Sequence, residues 1–291
     1  MAGVVVVTDS TSSLTPEVAD EAGVVVVPLQ VIVDGTSRPE AFRSGPTALT
    51  PGQVAAALRE GRAVSTSRPS PEAFSAAYAE AMSRGADAIV SIHLSGSISG
   101  TVDAAVVAGR STSVPVTTVD SRTVASACGF AVLAAARAAA AGGGAAAVAE
   151  VARRLAARSV IYFCVENVEF LRRGGRIGTA QALLGSALAV KPLLTVAEGQ
   201  IRAYERVRTM TKAMARLEDL AVTALGAAAG MGSGVDVAVL HLDNRSEADR
   251  LAASLIGRVP GTSSVTVTEL SAVLGVHTGP GTVGVVVARR D

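Results

Sequence analysis

Lysine is almost missing from this chain: of its 26 basic residues only Lys191 and Lys212 are lysines, set against 25 acidic residues for a net charge of +1. A chain so evenly charged lacks the basic surplus that contact with a phosphate backbone requires, so nucleic acid is not an expected partner. Neither lysine follows a glycine, which removes the phosphate-binding P-loop. The 2 cysteines, Cys128 and Cys164, lie far apart inside apolar stretches. That spacing builds no disulfide framework and reads as a reduced, cytoplasmic interior. Histidines number 3, and no His, Cys, Asp or Glu cluster at ligand spacing surrounds them, so neither a metal nor a cofactor is expected.

Long apolar runs are scarce as well. Val4 to Val7 passes straight into Thr8-Asp9 with no charged region before it, which does not suit a signal peptide. The stretch from Val124 to Ala156 is cut by Arg137 and by Gly142-Gly143-Gly144 and is rich in alanine. It reads as two soluble helices, and no stable membrane insertion is expected.

What is present is a core. At 291 residues and 49% hydrophobic, the chain is long enough for two domains, each with its own buried centre. Strands are expected at Val4 to Val7, Val24 to Val33, Ala63 to Thr66, Ala88 to Ile92 and Val116 to Val119, each followed by a helical segment. Thr50-Pro51-Gly52-Gln53 and Ser70-Pro71 carry N-cap and first-turn proline signals. Such alternation is βαβ grammar, and continuous apolar strands fit a parallel sheet buried on both faces. Beyond about Ser159 the pattern changes to a mixed α/β arrangement. Its expected strands are Val160 to Val165, Leu193 to Val196, Ile201 to Tyr204, Val235 to Leu240, Ser264 to Thr268 and Gly284 to Ala288, with helices at Thr209 to Ala224 and Ser246 to Ile256. The glycine-containing Ala197 to Gln200 link suits a hairpin.

Four hydroxyl-rich clusters follow the early strands: Thr8 to Thr11, Ser65 to Ser70, Ser95 to Thr101 and Asp120-Ser121. Ligands of parallel sheets bind beyond the carboxyl ends of strands, so these hydroxyls are expected to face one site lined by neutral donors. His277, in His277-Thr278-Gly279-Pro280-Gly281, is a binding candidate because its glycines permit close backbone approach. His241 reads as a structural residue at a strand end. Arg172, Arg173 and Arg176 surround Gly174-Gly175, and Arg202, Arg206 and Arg208 follow downstream. They suit either an anion or acidic-partner site, or a solvated turn.

Several catalytic templates fail. Gly279 to Gly284 matches G-x-G-x-x-G but precedes a strand instead of opening a helix, so it is no dinucleotide fingerprint. Read as G-x-S-x-G, Gly96 to Gly100 places Ile98 where the nucleophile must stand. The competing enzyme reading is a serine-dependent acyl hydrolase using Ser95 and His277 with Asp9 or Asp120, and no sequence sign of an acid orienting the histidine supports it.

With Thr8-Asp9-Ser10-Thr11, Thr66 to Pro71, Ser95 to Thr101, Asp120-Ser121, Gly174-Gly175-Arg176-Ile177, Val207-Arg208-Thr209 and His277 to Gly281 in this order, the chain resembles the DegV family of bacterial fatty-acid-binding proteins. The resemblance spans nearly the whole length. It implies a two-domain α/β fold: an N-terminal three-layer α/β/α domain with a mainly parallel sheet over 1–159, and a C-terminal α/β domain with a mixed sheet over 160–291. It also implies a carrier with no reaction of its own, holding a long-chain fatty acid in a tunnel between the domains and presenting its carboxylate to a separate ATP-dependent fatty acid kinase for acyl-phosphate formation. By similarity Thr66, Ser95, His277 and Arg176 hold the carboxylate, supported by Ser67, Ser97, Thr278 and Gly279. Ser13, Arg68, the Ser95-Gly96-Ser97 motif and the Ser37 to Glu40 region depart from the residues common in the family.

Overall fold

The computed structural model describes residues 3–42, 45, 47–178, 180, 191–229, 234–258 and 265–290. The first half builds a parallel sheet in the order β2-β1-β6-β7, from β1 (Gly3–Asp9), β2 (Val25–Val27), β6 (Ala86–His93) and β7 (Val116–Asp120). Alternate residues face opposite layers. Val7 and Ile89 pack on α3 (Pro71–Ser83) and α4 (Thr101–Gly109), while Val6, Val90 and Ile92 pack on α5 (Ala125–Ala140) and α6 (Ala145–Ala157). This is the expected three-layer α/β/α arrangement, and burial on both faces is why the strands are continuously apolar. α1 (Pro16–Glu21) connects β1 to β2.

The Val24 to Val33 run is not one strand. It breaks after β2, and β3 (Gln30–Val33) leaves for a second sheet with β4 (Thr36–Pro39) and β5 (Val64–Ser67), ordered β4-β3-β5 and wholly antiparallel. Pro28 follows β2, and a residue without an N–H is a poor member of a central ladder. The Ala63 to Thr66 strand therefore belongs to this small sheet, and its hydroxyls are not at the end of a parallel strand. α2 (Pro51–Arg59) precedes β5 and starts with the anticipated N-cap Thr50, which forms a capping box with Gln53.

The second half forms a six-stranded mixed sheet, β10-β9-β8-β13-β11-β12, made of β8 (Ser159–Cys164), β9 (Lys191–Ala197), β10 (Gln200–Val207), β11 (Val235–His241), β12 (Thr266–Glu269) and β13 (Val283–Arg289). The β9–β10 hairpin is as expected, and β11–β12 is the parallel pair; Ser264 lies outside the described residues. One face, with Val237, Val239 and Val285, packs on α8 (Met210–Ala229) and α9 (Arg245–Arg258). The other, with Ile161, Phe163, Leu240 and Val286, meets Ala125 and Ala127 of α5. A helix between two sheets must be apolar around most of its circumference and slim, which the alanine-rich α5 satisfies. α7 (Glu169–Arg173) is short, and α10 (Ala272–Thr278) was not anticipated: the His277 segment reads as a glycine-rich loop, yet His277 and Thr278 end a helix that starts at Ala272. α10 joins β3 and α2 in one core cluster through Leu29, Val31, Val54, Val273 and Val276, and this tertiary burial offsets its weak intrinsic helicity.

Candidate functional site

Thr66 sits on β5, paired with Val31 of β3, and α10 lies against that sheet. His277 occupies the last turn of α10, and its Nε2 is 2.9 Å from Thr66 Oγ1. Gly174, just after α7, packs under the imidazole so closely that a Cβ there would collide with Nδ1. Gly279, with φ +78, leaves room for the Phe170 ring in the same way. These close approaches are what the glycines permit. Arg176 donates from Nη1 to Gly174 O at 2.6 Å and from Nε to Ile98 O at 3.1 Å, tying the glycine pair to the loop after β6.

The start of α10 is fixed by a residue the sequence reading passed over. Glu40, fully buried after β4, accepts from Val273 N at 2.9 Å and from Ser10 Oγ. Ser10 Oγ in turn accepts from Leu29 N at 2.9 Å. Burial pushes the Glu40 carboxyl up to about 7, against the opposing hydrogen bonds from Ser10, Val273 and Ser271.

Beside these groups lies a cavity whose empty space, open mouth included, is about 600 Å³. Its wall is apolar, with Ile98, Val124, Phe163, Ile201, Leu240 and Leu274 among the residues lining it. Arg176, His277, Thr278 and Thr282 are also among the lining residues, and the Thr282 hydroxyl donates to Gly279 O at 2.7 Å. His277 and Arg176 also line two surface clefts that share Thr66. They therefore stand where an apolar interior meets solvent-facing grooves. Burial, reinforced by the positive charge of Arg176, holds His277 down at about 4, so the ring is neutral at pH 7. Its Nδ1 and the Thr278 hydroxyl are buried without a hydrogen-bond partner. Unpaired buried polar atoms are costly.

The other expected site residues are placed differently. Ser95 is fully buried after β6, and its hydroxyl donates to Gly199 O at 2.7 Å in the β9–β10 turn. Ser97 N donates to Ser95 Oγ at 3.2 Å, and Arg122 Nη2 donates to Glu198 O at 3.1 Å. Ser95 thus fastens the hairpin tip to the first half, as Arg122 does beside it. Ser67 lines one cleft, its hydroxyl donating to Arg68 O at 3.2 Å. Three of the four hydroxyl clusters do gather at the carboxyl end of the parallel sheet, where His93 aligns with Asp120 and Thr8 with Ile92; the Ser65 to Ser70 cluster joins them from the other sheet.

Of the arginine cluster, Arg172 and Arg173 both pair with Glu169 on the exposed face of α7, Arg172 Nε at 2.7 Å, and Arg202 pairs with Glu198. Only Arg176 turns toward the cavity. Asp9, a candidate acid, accepts from His93 Nδ1 at 3.0 Å, while Asp120 accepts from Gly96 N and Arg122 N. Neither orients His277, and Ser95 points at a carbonyl, so the hydrolase constellation is not assembled. Among the described residues no group of three His, Cys, Asp or Glu is placed to hold a metal, and no helix is long and apolar enough to cross a membrane. His241, at the end of β11, is buried, and burial lowers its pKa.

The cavity has an apolar wall, and His277 and Arg176 line both it and the two clefts that share Thr66. The sequence profile of the DegV family matches residues 3–290, and the chain belongs to that family. It is 47% identical over 287 residues to a DegV domain-containing protein of Streptomyces coelicolor, covering 99% of each chain. A Mycobacterium tuberculosis DegV domain-containing protein is 35% identical, with 98% of this chain and 96% of that protein covered. Among solved structures, a fatty-acid-binding DegV family protein from Thermus thermophilus superposes with a TM-score of 0.89 at 34% identity, over 99% of this chain and 100% of that one. DegV of Bacillus subtilis, described as a fatty acid binding protein, gives 0.88 at 28% identity over 100% of both chains.

Proposed function

We propose that this protein binds a long-chain fatty acid, the acyl tail in the apolar cavity and the carboxylate at Thr66, His277 and Arg176, and presents that carboxylate to a separate ATP-dependent kinase for acyl-phosphate formation. The observation that carries the reading is the cavity itself, apolar along its wall and polar where His277 and Arg176 meet the surface clefts. At about 0.8 kcal/mol per buried methylene, a tail of about 14 methylenes gains up to ~11 kcal/mol. The head group needs donors to offset its desolvation, and Thr66, Thr278, His277 and Arg176 supply them without enclosing it. Ser95 enters this reading when its hydroxyl exchanges Gly199 O for the ligand. The protein acts as a carrier in the cytoplasm, with the boundary between its two domains near Ser159 and the tail between them.

Denaturing the purified protein, extracting it with solvent and weighing the released molecules tests this directly. A stoichiometric fatty acid is expected. A protein that yields none, and takes none up when incubated with palmitate, contradicts the reading.

A further inference from the structure

One of the two clefts beside the Thr66–His277 pair is lined by both Arg68 and Arg176, together with Ser67, Ser99 and Gly100. The two guanidiniums reach the same loop: Arg176 Nε donates to Ile98 O at 3.1 Å and Arg68 Nη1 donates to Gly100 O at 3.4 Å. Neither pairs with a carboxylate among the described residues. In the opposite cleft Arg62 is paired with Asp34 and Arg173 with Glu169. Arg176 lines both clefts, so what distinguishes the first is Arg68, a second positive charge with no carboxylate partner among the described residues, where the other cleft adds only paired arginines. A carboxylate carries one negative charge and needs one positive charge. The second charge has capacity for a further anionic group.

We propose that Arg68 recognises the phosphoryl group of a phosphorylated head group and is dispensable for the unmodified carboxylate. The inference rests on the presentation reading above. In that reaction a carboxylate oxygen attacks the terminal phosphorus of a nucleoside triphosphate, the bond from that phosphorus to its bridging oxygen breaks, and the nucleoside diphosphate leaves with the electron pair. The head group passes from one negative charge to two. Arg176 stays with the carboxyl end, and the fork of Arg68 meets the new phosphoryl oxygens at the cleft mouth, where a bidentate guanidinium suits them. Gly100 serves this placement: a Cβ there would stand on the Arg68 guanidinium. What such a Cβ displaces is the flexible end of an exposed side chain, so the fold tolerates Gly100→Ala while Arg68 is pushed aside with its charge intact.

The test is a pair of titrations at pH 8, one with palmitate and one with hexadecyl phosphate, a stable dianionic probe of the same tail length. Arg68→Gln is expected to weaken hexadecyl phosphate about tenfold and palmitate less than about twofold, and Gly100→Ala to reproduce about a third of that selective loss. Equal losses for the two ligands, no loss for either, or wild-type protein that takes palmitate but not hexadecyl phosphate would overturn the assignment while leaving the fatty-acid reading standing. Wild-type protein that binds neither overturns both.

Discussion

Two histidines in this molecule have opposite surroundings. His93 lies at the end of β6, wholly buried, with Asp9 on Nδ1 at 3.0 Å and Ser91 on Nε2 at 2.6 Å; Tyr78 extends the chain by donating to Ser91 Oγ at 3.0 Å. Asp9 also accepts from Thr11 N at 3.0 Å and Leu94 N at 3.1 Å. Every group has a partner, and none of these residues lines the cavity beside His277. His277 has one partner, an orphaned Nδ1, an orphaned hydroxyl beside it and a cavity against it. In residue types the first cluster looks more like a catalytic triad than the second does. Satisfaction, not composition, separates them: the first network has all its bonds made, and the second has bonds left open beside a cavity, which makes it the candidate site.

The largest effect expected from breaking this contrast is on the satisfied network. Asp9→Ala strands buried donors on His93, Thr11 and Leu94 and should cost roughly 3–5 kcal/mol in chemical denaturation. Below it comes Glu40. Its pKa is raised on folding, from 4.5 to about 7, so the folded state binds the extra proton. Stability from this group is complete below about pH 4.5 and is lost as pH rises to about 7. Asp9 is the charged neighbour that adds to the rise. Glu40→Gln should remove on the order of 2 kcal/mol of that pH dependence between pH 4.5 and 7, read as the wild-type minus variant difference in unfolding free energy. His277, lowered to about 4, acts in the opposite sense: its contribution is present above about pH 6.5 and lost as pH falls toward 4.

At the open site the expected effects move from stability to binding. Thr66→Ala and His277→Ala should each weaken palmitate about tenfold while unfolding free energies stay within about 1 kcal/mol of wild type. The smallest effect is assigned to the exposed Arg173–Glu169 pair, where Arg173→Gln should change stability by less than about 0.5 kcal/mol.

Much of the fold was legible because its signals are local. Val4 to Val7 is apolar on both faces because both are covered, Thr50 and Ser70 cap their helices as their types require, and Gly199 makes the hairpin turn. The small antiparallel sheet was hidden because Val24 to Val33 is apolar on both sides of Pro28: the proline marks a break, and the similar apolar halves do not tell which sheet each enters. α10 was hidden because Gly275 and the Gly279-Pro280-Gly281 sequence look like loop, whereas the helix is held by Glu40 at its start and by Val31 and Val54 along its side. Of the site, His277 could be singled out from its glycine-rich setting, and the resemblance to DegV proteins supplied Thr66 and Arg176 beside it. The apolar wall was not legible, since Ile98, Phe163, Leu240 and Leu274 come from four separate segments and look like any core residue until the fold assembles them.

The central claim is that the unsatisfied cluster receives a fatty-acid carboxylate, and the carbon NMR signal of carboxyl-labelled palmitate reports on that group alone. The account predicts one bound resonance at a single stoichiometry, displaced in Thr66→Ala and in His277→Ala and unmoved in Arg173→Gln. A bound resonance that keeps its position in all three variants would place the carboxylate elsewhere and contradict the account.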